Sequence, residues 1–110
     1  YAGWSAPIER LTEWRYEGVI LEKGLDPLDP DGDKSYYAPD VVQGPDGRFY
    51  LYYSIENSGI ISVAVCGQPA GKFKFYGHVK VVDGHVLGSS EEEPLQFDPA
   101  VLVDGERVYM

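Results

Sequence analysis

The sequence predicts an all-β chain, and three observations carry that prediction. Apolar and aromatic side chains alternate with a period of two in residues 48–54 (RFYLYYS) and 60–66 (IISVAVC). Asp-Gly, Gly and Pro signals punctuate the chain at short, regular intervals. No window repeats apolar residues at a spacing that would sustain a helix.

Taken in order, residues 8–14 (IERLTEW) have weak helical spacing, enough for one turn or two at most. Residues 26–34 (DPLDPDGDK) read as a polar loop. Its acidic spacing does not fit the D-x-D-x-D-G calcium loop, and no Glu twelve positions on completes one. Val41 and Val42 make a short strand, and Asp46-Gly47 is a turn ahead of the next. In residues 48–54, Phe49, Leu51 and Tyr53 face one way and Tyr50 and Tyr52 the other. In residues 60–66, Ile61, Val63 and Val65 alternate with the small Ser62, Ala64 and Cys66. The short polar link at 55–59 makes these two strands a hairpin. Gly67, Pro69 and Gly71 end the second, because proline cannot donate to a ladder. Residues 73–82 are a further extended piece, bent at Gly77, and residues 89–94 (SSEEEP) are a solvated charge run. Residues 38–82 are thus expected to form one four-stranded antiparallel sheet that begins at residues 38–42.

Composition narrows the function. A chain of 110 residues makes about one small domain, and 44% hydrophobic content suits a packed one. A net charge of -9 argues against nucleic acid and anionic membrane surfaces as partners. No apolar stretch approaches the ~18 residues of a membrane span. The lone Cys66 excludes an internal disulfide and a cysteine metal cage, and reads as a small core hydrophobe. His78 and His85 have no partner spacing for a metal. No signal peptide is visible, and the opening residues YAGWSAPIERL look like the middle of something longer.

A repeat is also present. Asp98 stands as far before Asp104-Gly105 as Asp40 stands before Asp46-Gly47, and each doublet opens a strand-like segment. A period that holds four short strands suggests a propeller blade; a sandwich with two similar hairpins fits the pattern as well. The closing ERVYM is a strand in mid-course, so further strands are expected beside it.

YYAPDVVQGPDGRFYLYYS, then GKFKFYGHVK, then FDPAVLVDGERVYM resemble glycoside hydrolase family 43, in that family's order. The family's W-A-P-D-V segment precedes a DG-x-YYLYYS strand, a G-x-F-x-x-x-G stretch and D-P-x-x-F-x-D-DG-x-x-Y-L. SAPIERLTEWRYEGVIL is similar to the ending of the family's first blade. Tyr37 departs from the family's Trp, and Ala100-Val101-Leu102 from a more aromatic strand ending. The resemblance implies part of a five-bladed β-propeller over residues 1–110: the end of blade one, blade two and the start of blade three. It implies hydrolysis of xyloside- or arabinoside-type linkages in plant polysaccharide with inversion, by three carboxyl groups.

Inversion requires base and acid roughly 6.5–9.5 Å apart, leaving room for the attacking water. The resemblance makes Asp98 the carboxylate that raises the pKa of the general-acid Glu. The general base and the general acid would lie before Tyr1 and after Met110. Tyr37 would be a wall for a sugar ring, and Asp40, Glu56 and Phe97 substrate-binding residues, with Asn57 a further candidate. Tyr37 and Asp40 are expected to share a cavity with Asp98. On residue type alone, Asp98 could start a turn, Asp40 could cap a loop, and Glu56 could simply be solvated. The Tyr50 and Tyr52 stripe would pack one blade on the next. No cofactor is implied. A calcium ion in the family's central channel would draw its ligands from outside this stretch. The partners implied are a carbohydrate and the remainder of the propeller. Other classes stay open: a carbohydrate-binding propeller without catalysis, a β-repeat that binds protein, or a related five-bladed enzyme acting on fructans or mannosides.

Overall fold

A computed structural model describes residues 1–110. It is all β, in three antiparallel sheets without a helix. β1 (Ala2–Ser5) pairs with β2 (Arg15–Val19). The central sheet is a meander of β3 (Tyr36–Gln43), β4 (Phe49–Ile55), β5 (Ile61–Cys66) and β6 (Lys74–His78). β7 (Leu102–Asp104) and β8 (Arg107–Tyr109) form a closing hairpin.

The two faces of the central sheet differ: one is packed and the other borders a cleft. On one, Leu51, Tyr53 and Ile55 of β4 and Ala64 of β5 pack against Ile20, Leu21 and Phe73. The register sets Leu51 opposite Ala64 and Tyr53 opposite Ser62, so large side chains lie beside small ones. Cys66 packs at the margin of this core, half-buried. On the other face, Tyr50, Tyr52, Val63 and Tyr76 line a cleft of about 680 Å³ together with Val108 and Met110 at the end of the chain. The period-two alternation of β4 thus supplies a packing surface to each side.

Three local expectations need correction and one holds. The one that holds is residues 8–14, which form two successive turns, closed by Arg10 N–H to Pro7 O and Glu13 N–H to Arg10 O, and no helix. Ile8 and Leu11 are exposed, so no apolar surface holds a short helix together. β3 is longer than expected and runs through Pro39, because a bulge between Tyr37 and Asp40 accommodates it on an edge strand. β6 ends at His78. Residues 79–87 then turn back on themselves through Val81 N–H to His85 O and Leu87 N–H to Val79 O. Finally, Glu93 in the charge run 89–94 is not solvated but hydrogen-bonded to His85 and to Gly88 N–H.

The 26–34 loop holds two buried carboxylates. Asp26 and Asp29 are each 1% exposed. Asp26 accepts from Tyr53 OH (2.8 Å), from Leu28 N–H (2.8 Å) and lies 3.2 Å from His78 Nε2. Asp29 accepts from the backbone of Asp33 and Lys34. The loop is therefore fastened to β4 and β6 from the core side. Burial, then the Asp26 charge, pushes the Tyr53 hydroxyl well above the usual tyrosine range.

Candidate functional site

The β3 bulge builds the site. In antiparallel pairs, residues directly opposite share a face. Tyr37 pairs with Ser54 and Asp40 with Tyr52, so two residues of β3 oppose Tyr53 alone. The extra residue turns Tyr37 and Asp40 to one face, the face of Ser54, while Tyr36 stacks on Tyr53 at 5.4 Å on the core side. Tyr1 OH donates to the Tyr37 carbonyl at 2.9 Å and steadies the entry to the bulge.

The segment before β7 docks on this face. Asp98 N–H donates to Ser54 Oγ at 3.1 Å. Val101 N–H donates to Asp40 Oδ2 at 2.6 Å. The Phe97 ring lies 5.9 Å from that of Tyr37, tilted by 49°. A cleft of about 290 Å³ there is lined by Ile61, Gln96, Phe97, Asp98, Ala100 and Met110. Asp98 is exposed and Ser54 is buried.

Two backbone outliers coincide here. Ala38 has φ 46° and Asp98 has φ 51°, and each precedes a proline. Left-handed backbone costs a non-glycine residue about 1–3 kcal/mol, and a following proline adds crowding. Such conformations persist where neighbours over-determine them, and they concentrate at functional sites.

The structure thus brings Tyr37, Asp40, Phe97 and Asp98 to one patch. It occupies Glu56 elsewhere. Glu56 Oε2 accepts from Ser35 N–H at 3.0 Å and Glu56 N–H donates to Ser35 O at 2.9 Å, a clasp between the 55–59 turn and the entry to β3. Asn57, at φ 57°, borders a second cleft with Leu95 and Phe97. The sequence alone does not single out Ser54; its one signal is a polar residue in an otherwise aromatic strand. No group of three or more His, Cys, Asp or Glu side chains is placed to hold a metal ion; Asp26 and the Oδ1 oxygen of Asp29 meet protein donors.

A strap secures the loop that leads to Asp98. His85 Nδ1 is 2.6 Å from Asp83 Oδ1 and Nε2 is 2.7 Å from Glu93 Oε1. Ionised carboxylates only accept, so both ring nitrogens carry protons. Glu93 Oε2 also accepts from Gly88 N–H, and Gln96 N–H donates to Gly59 O. Gly88 has φ 85° and a Cβ there would run into the Gly59 carbonyl, so the strap needs glycine at this point. Hydrogen bonding to Glu93, then to Asp83, raises the His85 pKa above its ordinary 6.5, and His85 holds Glu93 below 4.5.

The raised His85 value contributes stability in full below pH 6.5, lost as pH rises through the folded value; the lowered Glu93 value contributes above pH 4.5, lost as pH falls through its folded value. The strap is therefore firmest between pH 4.5 and 6.5. An NMR titration of the His85 ring should give a midpoint above 6.5, with faster amide exchange at Gly88 beyond it. A midpoint at or below that of a free histidine would refute the strap.

The model for "Glycosyl hydrolases family 43" matches residues 9–110. A xylosidase/arabinosidase of Thermoclostridium stercorarium is 58% identical over 110 residues, all of this chain and 23% of that protein. A probable arabinan endo-1,5-alpha-L-arabinosidase B of Aspergillus oryzae is 31% identical over 105 residues, 88% of this chain and 29% of that protein. An extracellular endo-alpha-(1->5)-L-arabinanase of Thermotoga petrophila is 34% identical over 84 residues, 64% of this chain and 18% of that protein. The chain spans less than a third of the length of each of these relatives. No solved structure matches it.

Proposed function

The chain belongs to glycosyl hydrolases family 43, and on that premise we propose that it forms part of a glycosidase acting on xyloside- or arabinoside-type bonds of plant polysaccharide or oligosaccharide with inversion. Its two-, four- and two-stranded sheets would be the end of blade one, blade two and the start of blade three of a five-bladed propeller. The observation that carries the reading is the docking of the Asp98 segment against the β3 bulge. It sets the exposed Asp98 next to Phe97, whose ring lies tilted 5.9 Å from that of Tyr37.

In this reading the rings pack on the apolar face of a sugar and exclude water from it. Asp98 keeps a negative charge near the general-acid Glu, so that the Glu stays protonated near neutral pH and can give its proton to the leaving oxygen. The Glu and the general base come from other blades. One oxygen of the Asp40 carboxylate accepts from Val101 N–H and ties the Asp98 segment to β3.

The test is hydrolysis by the intact protein of aryl α-L-arabinofuranosides, aryl β-D-xylosides and the matching oligosaccharides, with the anomer of the released sugar followed by NMR. Release of the inverted anomer is expected. Retention would exclude inversion. Sugar binding without turnover would replace the enzyme by a carbohydrate-binding propeller, and turnover only of fructans or mannosides would replace the substrate class.

A further inference from the structure

We infer that Ser54 and Asp40 are positioning residues that clamp the 98–101 segment and so aim the Asp98 carboxylate. The inference rests on the glycosidase reading for its purpose, though not for its geometry. Asp98 sits in left-handed backbone immediately before Pro99, a conformation that its own sequence disfavours. Something outside the segment must therefore hold it.

Two side chains of the central sheet do so, on either side of the proline. Ser54 Oγ takes the Asp98 N–H at 3.1 Å, and Asp40 Oδ2 takes the Val101 N–H at 2.6 Å. Pro99 between them has no N–H to give, and it is buried. Ser54 is 1% exposed, so water cannot substitute for its partner cheaply. The bond to Asp40 is charge-assisted and short, the stronger kind. Both acceptors stand on the same face because Asp40 pairs with Tyr52, two residues from Ser54, and the β3 bulge brings Tyr37 to that face as well. The bulge, the two hydrogen bonds and the strained Asp98 form one device.

A positioning role makes a demand that ligand binding does not. The clamp needs an acceptor oxygen at residue 40, which the charge strengthens but does not create. Asp40→Asn keeps an acceptor for Val101 N–H; Asp40→Ala does not. A carboxylate that acted through its charge would be lost in both, and the Val101 amide, read without substrate, separates the clamp from sugar binding.

The experiment measures kcat, KM and the pH profile of kcat/KM on an unactivated oligosaccharide and an aryl glycoside. It compares intact wild-type protein with Asp40→Ala, Asp40→Asn, Ser54→Ala and Asp98→Asn. Misplacing a catalytic group by about 1 Å can cost on the order of 10²-fold. Asp40→Ala should therefore lower kcat about 10- to 100-fold on the oligosaccharide with KM little changed. Its alkaline limb should move to lower pH, in the direction Asp98→Asn moves it. Asp40→Asn should lose clearly less than Asp40→Ala and move the alkaline limb less, since an acceptor for Val101 N–H is kept. Equal damage from Asn and Ala, or an alkaline limb that stays in place, would overturn the positioning role. Amide exchange at Val101 reads the clamp without any substrate. It should be slow in wild type and Asp40→Asn and fast in Asp40→Ala; no change in Asp40→Ala would overturn the hydrogen bond itself. A wild-type profile for Asp98→Asn would instead overturn the catalytic reading of Asp98, with the Val101 amide still deciding the clamp.

Discussion

Asp98→Asn in the intact protein is expected to lower kcat/KM on natural linkages by about 10²–10³, or about 3–4 kcal/mol of transition-state stabilisation. The substitution is close to isosteric, and asparagine tolerates left-handed backbone as well as aspartate does. The Asp98 N–H, which meets Ser54 Oγ, is untouched. What disappears is the charge. Without it the general-acid Glu ionises at lower pH and is a poorer donor near neutrality. Substrates with poor leaving groups need that proton and should lose most; activated aryl glycosides should lose less. The acid limb of the pH profile reports the base and should stay. The alkaline limb reports the Glu and should move to lower pH. An unmoved alkaline limb, together with wild-type rates on both substrates, would leave Asp98 as a turn residue.

The alternation of β4 and β5 is legible in the sequence because the two faces meet different surroundings. One packs on Ile20, Leu21 and Phe73, and the other lines a cleft with Tyr76 and Val108. β1 and β2 were not legible. β1 is four residues long, its register shifts at Gly3, and the aromatic Trp4 and Tyr16 that meet across the pair are both more than half exposed. A strand with no buried face leaves no hydrophobic period to find.

The site was legible in part. Motif resemblance points to Tyr37, Asp40, Phe97 and Asp98, and the structure docks the segment of Phe97 and Asp98 on that of Tyr37 and Asp40, although only Phe97 and Asp98 line the cleft there. The bulge that does so was not visible. Ala-Pro in a strand marks a place where the ladder breaks, but not the face on which it resumes. The Ser54 contact was beyond reach for a different reason: its partner lies 44 residues away, and no local pattern encodes that pairing. Likewise, the aspartates of 26–34 look like a solvated linker until Tyr53 and His78 arrive from two other strands.

Asp26→Ala is expected to destabilise the fold by about 1–3 kcal/mol for each buried donor it strands, a large share of the roughly 5–15 kcal/mol that a domain has. The carboxylate is 1% exposed and serves three groups at once: Tyr53 OH, Leu28 N–H and the His78 ring. Removing it strands the Tyr53 hydroxyl, itself 1% exposed, and each buried donor left without a partner costs about 1–3 kcal/mol. Relief of the buried charge's desolvation offsets part of this loss. Tyr53→Phe combined with Asp26→Ala removes the stranded hydroxyl, so the double variant should be more stable than the sum of the singles implies. The coupling should be about 0.5–3 kcal/mol. Denaturant midpoints for the two singles and the double measure it. Strict additivity, or a single Asp26→Ala loss within about 0.5 kcal/mol of zero, would show that the loop is not held by this carboxylate. The consequence reaches the site, because Tyr53 stacks on Tyr36 at 5.4 Å and is the one residue that the β3 bulge spans. Loosening the core side should therefore free the bulge, and Val101 amide exchange should rise in Asp26→Ala well below the global unfolding transition.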